Sequence, residues 1–98
     1  MEKFADKSLN DFAAALASDA PTPGGGGAAA LCGALAAALG EMVCNLTAGK
    51  PKYAEYEADI ADAVKKLSLT RTYMLRLIDE DAKAFEPLRK YLALPKDD

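Results

Sequence analysis

The 98-residue chain has no histidine, no tryptophan and only two cysteines, Cys32 and Cys44. Without an imidazole, Ser-His and Cys-His nucleophilic chemistry is excluded within the chain, and proton transfer near neutral pH falls to Asp, Glu, Lys, Tyr or Cys. Two thiols alone cannot complete a zinc set, so no metal site is expected. Nor can they pair with each other if one helix carries both, because their spacing at 1.5 Å per residue separates them by about 18 Å. Unpaired thiols, with no basic stretch and cleavage site at the N terminus, predict a reducing cytoplasm.

Aromatic content is low as well, 7% against 51% hydrophobic and 28% charged residues. Ala and Leu carry the apolar fraction and lose little side-chain entropy in a helix, so the expected fold class is all-α. Positive charge is scarce too: the formal net charge is −3. No basic field is present to hold nucleic acid or anionic lipid, and neither is an expected partner. Residues 1–49 hold two Lys and five acids, whereas residues 50–98 hold ten bases and ten acids. Only the second half therefore has a solvated face. Residues 1–98 read as one domain, with no internal repeat and no linker.

Ser8, with Asp11 three residues on, predicts the start of a first helix, and Leu9, Phe12, Ala13 and Leu16 line one of its faces. Pro21 and Pro23 stop this helix near Asp19. A second helix is expected from Gly26 or Ala28 to about Thr47, ended by Gly49 and Pro51. Glu41 and Asn45 interrupt its apolar run and many of its positions are Ala or Gly, which argues against a membrane span. Leu31, Leu35, Leu39, Met42 and Leu46 repeat along it at helical spacing. Gly33, Ala37, Gly40 and Cys44 form a smooth strip elsewhere, where another helix can approach closely. From Tyr53 to about Leu94 there is no Gly, and an apolar period of about 3.5 residues runs from Tyr56 to Leu92. This is one long helix, or two with a bend near Asp81 to Lys83, upstream of Pro87.

A helix of forty residues would reach about 60 Å, whereas a compact chain of this length has a radius of gyration of about 13 Å. Together with a second helix that is apolar on two faces, this predicts an elongated antiparallel bundle of long helices, completed by a partner chain or a missing C-terminal half. The tail Pro95-Lys96-Asp97-Asp98 reads as the start of a further loop.

Gly24, Gly25, Gly26 and Gly27 leave backbone N–H groups unobstructed at the positive end of the second helix, a way to bind phosphate, carboxylate or a developing oxyanion. No Gly-Lys-Ser/Thr follows and no strand precedes, so neither a P-loop nor a dinucleotide fingerprint is met. A flexible turn or a tight helix crossing is the plainer reading. Asp81 falls at the apolar-facing position between Ile78 and Phe85, with Glu80 pointing away; desolvated there, its carboxyl would serve as general acid or base. The plainer alternative is a solvated cluster of Asp79, Glu80 and Asp81 paired with Lys83 or Arg76. Lys50, Lys52 and Tyr53 can bind an anionic ligand or be ordinary loop residues. Glu41 and Asn45, one turn apart in an apolar helix, must find partners.

One ordered series of motifs runs from about Ser8 to Lys96: Pro21-Thr22-Pro23-Gly24-Gly25-Gly26, the Ala-rich helix, Met42-Val43, Leu46-Thr47-Ala48-Gly49-Lys50, Asp79-Glu80-Asp81-Ala82-Lys83-Ala84-Phe85 and Leu94-Pro95-Lys96. It resembles the cyclodeaminase/cyclohydrolase family of folate enzymes. The resemblance implies an all-helical domain, a homodimer or higher oligomer, acting on a tetrahydrofolate derivative as substrate, with no metal and no redox cofactor. Two reactions are implied. In one, N10 of 5-formimino-tetrahydrofolate closes onto the formimino carbon and ammonia leaves; in the other, water opens 5,10-methenyl-tetrahydrofolate to the 10-formyl form. By motif position, the resemblance gives proton transfer to Asp81, sets Gly24 to Gly27 against the pterin or glutamate tail, and assigns Lys50 to a substrate carboxylate. Many relatives carry Ser after three glycines where this chain has Gly27, so a hydroxyl cap is absent there. The resemblance covers only the N-terminal half of the family domain. A non-catalytic helical dimerisation module, or an inactive fragment of the enzyme, therefore stands as the alternative.

Overall fold

The Ser8 hydroxyl accepts a hydrogen bond from the Asp11 N–H at 3.0 Å, and this cap opens α1, Leu9–Ala17. In the computed structural model of the protein, residues 2–94 are described; the expectations for Pro95–Asp98 lie outside them. Two longer helices come next, α2 over Gly25–Thr47 and α3 over Glu57–Leu92, with short 3-10 turns at Phe4–Asp6 and Pro51–Tyr56. The described residues contain no strand, and the fold is all-α.

α2 begins earlier than the composition suggests. Gly24 is its N-cap and the Ala28 N–H donates to the Gly24 carbonyl at 2.9 Å. Three of the four glycines are thus the first helical turn rather than a loop before it. Its end obeys the expected grammar: Gly49 adopts φ +80°, the left-handed region that a side chain disfavours. α3 starts at Glu57 rather than Tyr53, because Pro51 opens a 3-10 turn first. The helix then runs unbroken through Asp81–Lys83 and past Pro87. Pro87 is exposed and close to the helix end, so the hydrogen bond it forfeits lies beside solvent.

α2 and α3 pack antiparallel in a strict register. A Cβ built on Gly40 would lie 3.0 Å from Leu67 Cδ1, on Gly33 3.1 Å from Met74 Sδ, and on Gly26 2.5 Å from Asp81 Oδ2. Glycines seven residues apart on one helix face side chains seven residues apart on the other, as in a coiled coil whose holes are made by missing side chains. Ala30, Ala34 and Ala37 are buried along the same seam. Ile78, only 1% exposed, joins Phe12 and Ala30 in the small core, with Phe4, Leu31, Leu75 and Leu77 against it.

Glu41 finds its partner across this seam. Arg71 Nε donates to its Oε2 at 2.6 Å and Nη2 to its Oε1 at 3.4 Å, leaving the Glu41 side chain 14% exposed. The carboxylate holds the guanidinium above its ordinary range. Asn45 is exposed and reaches solvent instead. Cys32 and Cys44 are both free thiols.

The molecule measures 71 × 26 × 22 Å, with a radius of gyration of 18.7 Å. Its accessible surface is 7377 Å², against about 5,400 Å² for a compact monomer of this mass. Part of the excess is apolar: Leu35, Leu39, Met42, Val43 and Leu46 of α2 are 50–62% exposed. Apart from Leu31, which packs on the core, the small side chains of this helix fill the seam and the large ones face outward. By length and apolar composition alone, α2 also meets the requirement for crossing a membrane.

Candidate functional site

The heptad series on α3 runs Leu67, Met74, Asp81. Two apolar knobs over glycine holes are followed by an acid over the third, where packing alone would favour another apolar side chain. The Asp81 carboxylate lies so close to Gly26 that a Cβ there would stand 2.5 to 2.7 Å from both oxygens and Cγ. It sits at a cleft of about 600 Å³, a size that suits a small-molecule ligand. Ala29, Ala30, Met74, Leu77 and Ala84 give the cleft an apolar lining, and Gly26, Glu80 and Asp81 are its polar-edged positions. Gly26 belongs to the first turn of α2, whose N–H groups precede the first intrahelical bond. A negative charge is favoured beside that end of the helix.

Two expectations about the acids need correction. Asp81 is exposed at the edge of the cleft rather than desolvated on the packed face. Ile78, one turn earlier, takes the packed position, and Gly26 and Ala29 are too small to cover the carboxylate. Glu80 does not point away; it lines the same cleft. It shares a helix side with Leu77 and Ala84, at three- and four-residue spacing, and extending the apolar period to those neighbours would have found it. The solvated-cluster alternative holds for exposure, since Glu80 and Asp81 are both exposed, but not for its pairing. Among the described residues, neither Lys83 nor Arg76 forms an ion pair with these acids. Asp79 instead accepts from the Phe4 N–H at 2.7 Å and the Ala5 N–H at 3.2 Å, tying the N-terminal turn to α3. No local sequence signal marks that bond, since its partners lie more than seventy positions away.

The glycines divide by role. Gly26 lines the cleft, while a Cβ on Gly25 would meet nothing within 4 Å. Gly27 is buried, its virtual Cβ 3.4 Å from Pro23 and 3.6 Å from Ile78, and Gly24 abuts the Pro21 carbonyl. Lys50 is not brought to this site within one chain. It is exposed beyond the other end of α2, about 36 Å from Gly26 at 1.5 Å per residue. Lys52, beside it, stands 5.5 Å from the centroid of the Tyr53 ring. Among the described residues no group of acids and cysteines has the grouping to hold a metal ion. The cleft offers two carboxylates and helix N–H donors around an apolar floor, a set suited to proton transfer on a flat, largely apolar ligand.

Comparison with known proteins gives the same direction. The family model described as formiminotransferase-cyclodeaminase matches residues 8–98. The chain is similar to the methenyltetrahydrofolate cyclohydrolase of Methylorubrum extorquens, with 47% identity over 91 residues, covering 93% of this chain and 44% of that protein. It is also similar to the formimidoyltransferase-cyclodeaminases of Sus scrofa, 33% identical over 93% of this chain and 17% of that protein, and of Dictyostelium discoideum, 33% identical over 97% and 18%. The chain thus spans less than half the length of these relatives.

Proposed function

Because the chain belongs to the formiminotransferase-cyclodeaminase family, we propose that its Gly26–Asp81 cleft binds a one-carbon tetrahydrofolate and moves a proton at the reacting carbon. The observation that carries this reading is the acid at a knob position, over a glycine, at the mouth of an apolar cleft. A packing role would call for Leu or Met there.

In the cyclohydrolase direction, Asp81 takes a proton from the water that adds to the methenyl carbon, forming the C–O bond. Cleavage of the bond from that carbon to N5, with protonation of N5, then gives the 10-formyl product. Glu80, which lines the same cleft, would carry the second proton. In the cyclodeaminase direction, the same pair would serve closure of N10 and protonation of departing ammonia. The 47% identity to a protein named as a cyclohydrolase favours the hydrolytic reaction. The apolar floor suits the pterin, and the first-turn N–H groups of Gly25 to Gly27 suit an anionic or developing-oxyanion group, whereas Lys50, at the other end of α2, stands outside this cleft. No metal or redox cofactor enters these steps. The site is that of a cytoplasmic enzyme with no membrane or nucleic-acid partner. In support, Glu41 within α2 is held by Arg71 across a protein seam.

A non-catalytic scaffold is the second reading, favoured by the exposure of Asp81. The two are separated by following the absorbance of 5,10-methenyl-tetrahydrofolate with the chain and with its Asp81→Asn variant. Protein-dependent loss of signal, abolished in a folded variant, supports the enzyme; equal rates for both proteins and buffer support the scaffold.

A further inference from the structure

We propose that Glu80 determines specificity at the cleft, its carboxylate selecting folates whose one-carbon unit carries a positive charge over those in which that unit is neutral. The proposal rests on the reading of the Gly26–Asp81 cleft as the substrate site. Consecutive residues of a helix stand about 100° apart, so Glu80 and Asp81 straddle the line of Leu77 and Ala84 on the cleft floor. A flat ligand lying on that line has a carboxylate along each edge. Whatever protons the two acids later carry, their field acts first, while the ligand binds.

No base answers them inside the cleft, whose lining contains neither Lys nor Arg. Arg76 and Lys83 stand four residues before Glu80 and three after it, spacings that pair charges on a helix surface. Among the described residues, neither forms an ion pair with it. Both are exposed and lie on the far side of Glu80 from the Leu77–Ala84 line. Asp79 is occupied by the Phe4 and Ala5 N–H groups. From α2, Gly26, Ala29 and Ala30 bring no side-chain charge, and the positive first turn of that helix lies against Asp81. Glu80 is thus the carboxylate of the cleft with no positive group set against it. The ligand chemistry matches. In 5,10-methenyl-tetrahydrofolate the N5–C–N10 bridge is a delocalised cation, and the formimino group becomes one on protonation; the 5,10-methylene bridge and the 10-formyl group are neutral. Hydrolysis, which adds water and releases a proton, removes the charge by which the substrate was held. One charge on another at about 4 Å in water changes affinity about fivefold.

Binding, not turnover, is the test. The Asp81→Asn chain, which should not consume the methenyl form, is titrated calorimetrically with 5,10-methenyl- and 5,10-methylene-tetrahydrofolate, nearly identical in shape and different in charge. Glu80→Gln is then added, with circular dichroism to establish folding. The ratio of the two affinities should fall about fivefold, with the methylene affinity unchanged, and Glu80→Asp should restore most of it. Raising salt from about 0.1 to about 1 M, which shortens screening from about 10 to about 3 Å, should lower the ratio only where Glu80 is present. An unchanged ratio, or equal losses for both ligands as a structural role would give, overturns the proposal and leaves the cleft standing as the folate site. Binding that survives in the native chain but not with Asp81→Asn would make Asp81 the selecting charge and overturns it too. If neither folate binds the native chain or its variants, the reading of the cleft falls, and the proposal with it.

Discussion

Replacing Gly26 by Ala tests the cleft with a single methyl group. The new Cβ would stand 2.5 Å from Asp81 Oδ2 and 2.6 Å from Oδ1, where ordinary contact begins at 3.4 Å. The carboxylate must therefore withdraw by about 0.9 Å or rotate away, at an off-rotamer cost of about 1 kcal/mol if it stays in the cleft. Because Asp81 is exposed, it has room to move, and Ala recovers up to about 1 kcal/mol of helix propensity over Gly, less in a first turn. Stability should thus change by less than about 1 kcal/mol in urea unfolding. Turnover should fall much further, since a displacement of about 1 Å at a reacting group costs on the order of 100-fold. Gly25→Ala supplies the stability control, adding the same methyl where no atom lies within 4 Å. The assay is loss of methenyl-tetrahydrofolate absorbance beside urea melts of both variants. Undiminished turnover by Gly26→Ala would refute the role of Asp81; a loss of more than about 2 kcal/mol would refute its freedom to move.

Asp81→Met continues the apolar series of Leu67 and Met74, so it should abolish turnover while raising stability by about 1 kcal/mol in chemical denaturation; a less stable variant would mean that the acid holds the fold. Ile78→Ala, at the one residue of the core that is 1% exposed, should cost about 3 kcal/mol, and Ile78→Val about 1. Asp79→Ala removes the acceptor for two N–H groups of the N-terminal turn; a loss of about 1 kcal/mol is expected, with faster amide exchange at Phe4 and Ala5. The hydrogen bond from Arg89 holds the Glu86 carboxyl below its ordinary 4.5. This pair contributes above that value, and the contribution disappears as pH falls through the lowered one. Arg89→Gln should therefore flatten the acid limb of the melting-temperature profile and leave the alkaline limb unchanged.

The helices were legible because their signals are local. Ser8 caps as its neighbours demand, Gly49 and Pro51 end α2 where composition says, and the Leu spacing marks a real stripe. The smooth strip of Gly33, Ala37 and Gly40 marked the face that α3 approaches; what sequence left open was which apolar face would stay uncovered. Large side chains ordinarily go inside, yet in α2 Ala and Gly are buried and Leu is exposed. The cause lies on the other helix: Leu67 and Met74 fill the seam, and only glycine leaves them space. The same pairing placed Asp81. Its period on α3 suggested a buried acid, but burial depends on the residue standing opposite, and Gly26 leaves the carboxylate open. Lys50 shows a different limit, since motif proximity along a chain says nothing about the length of helix between two motif parts.

The inversion of α2 ties the cleft to the unfinished surface. A seam built on glycines brings two helix backbones close and gives the Asp81 carboxylate an edge without a side chain over it, but it leaves Leu35, Leu39, Met42, Val43 and Leu46 of α2 outside. That exposed stripe is tolerable only when covered. The open acid and the exposed stripe are thus two products of three glycines at heptad spacing. Substitutions that fill the glycine holes, such as Gly33→Ala against Met74, should disturb both together, spreading the helices at the seam and tilting the stripe. Substitutions confined to the stripe, such as Leu39→Glu, should leave the distance from Asp81 to Gly26 unchanged.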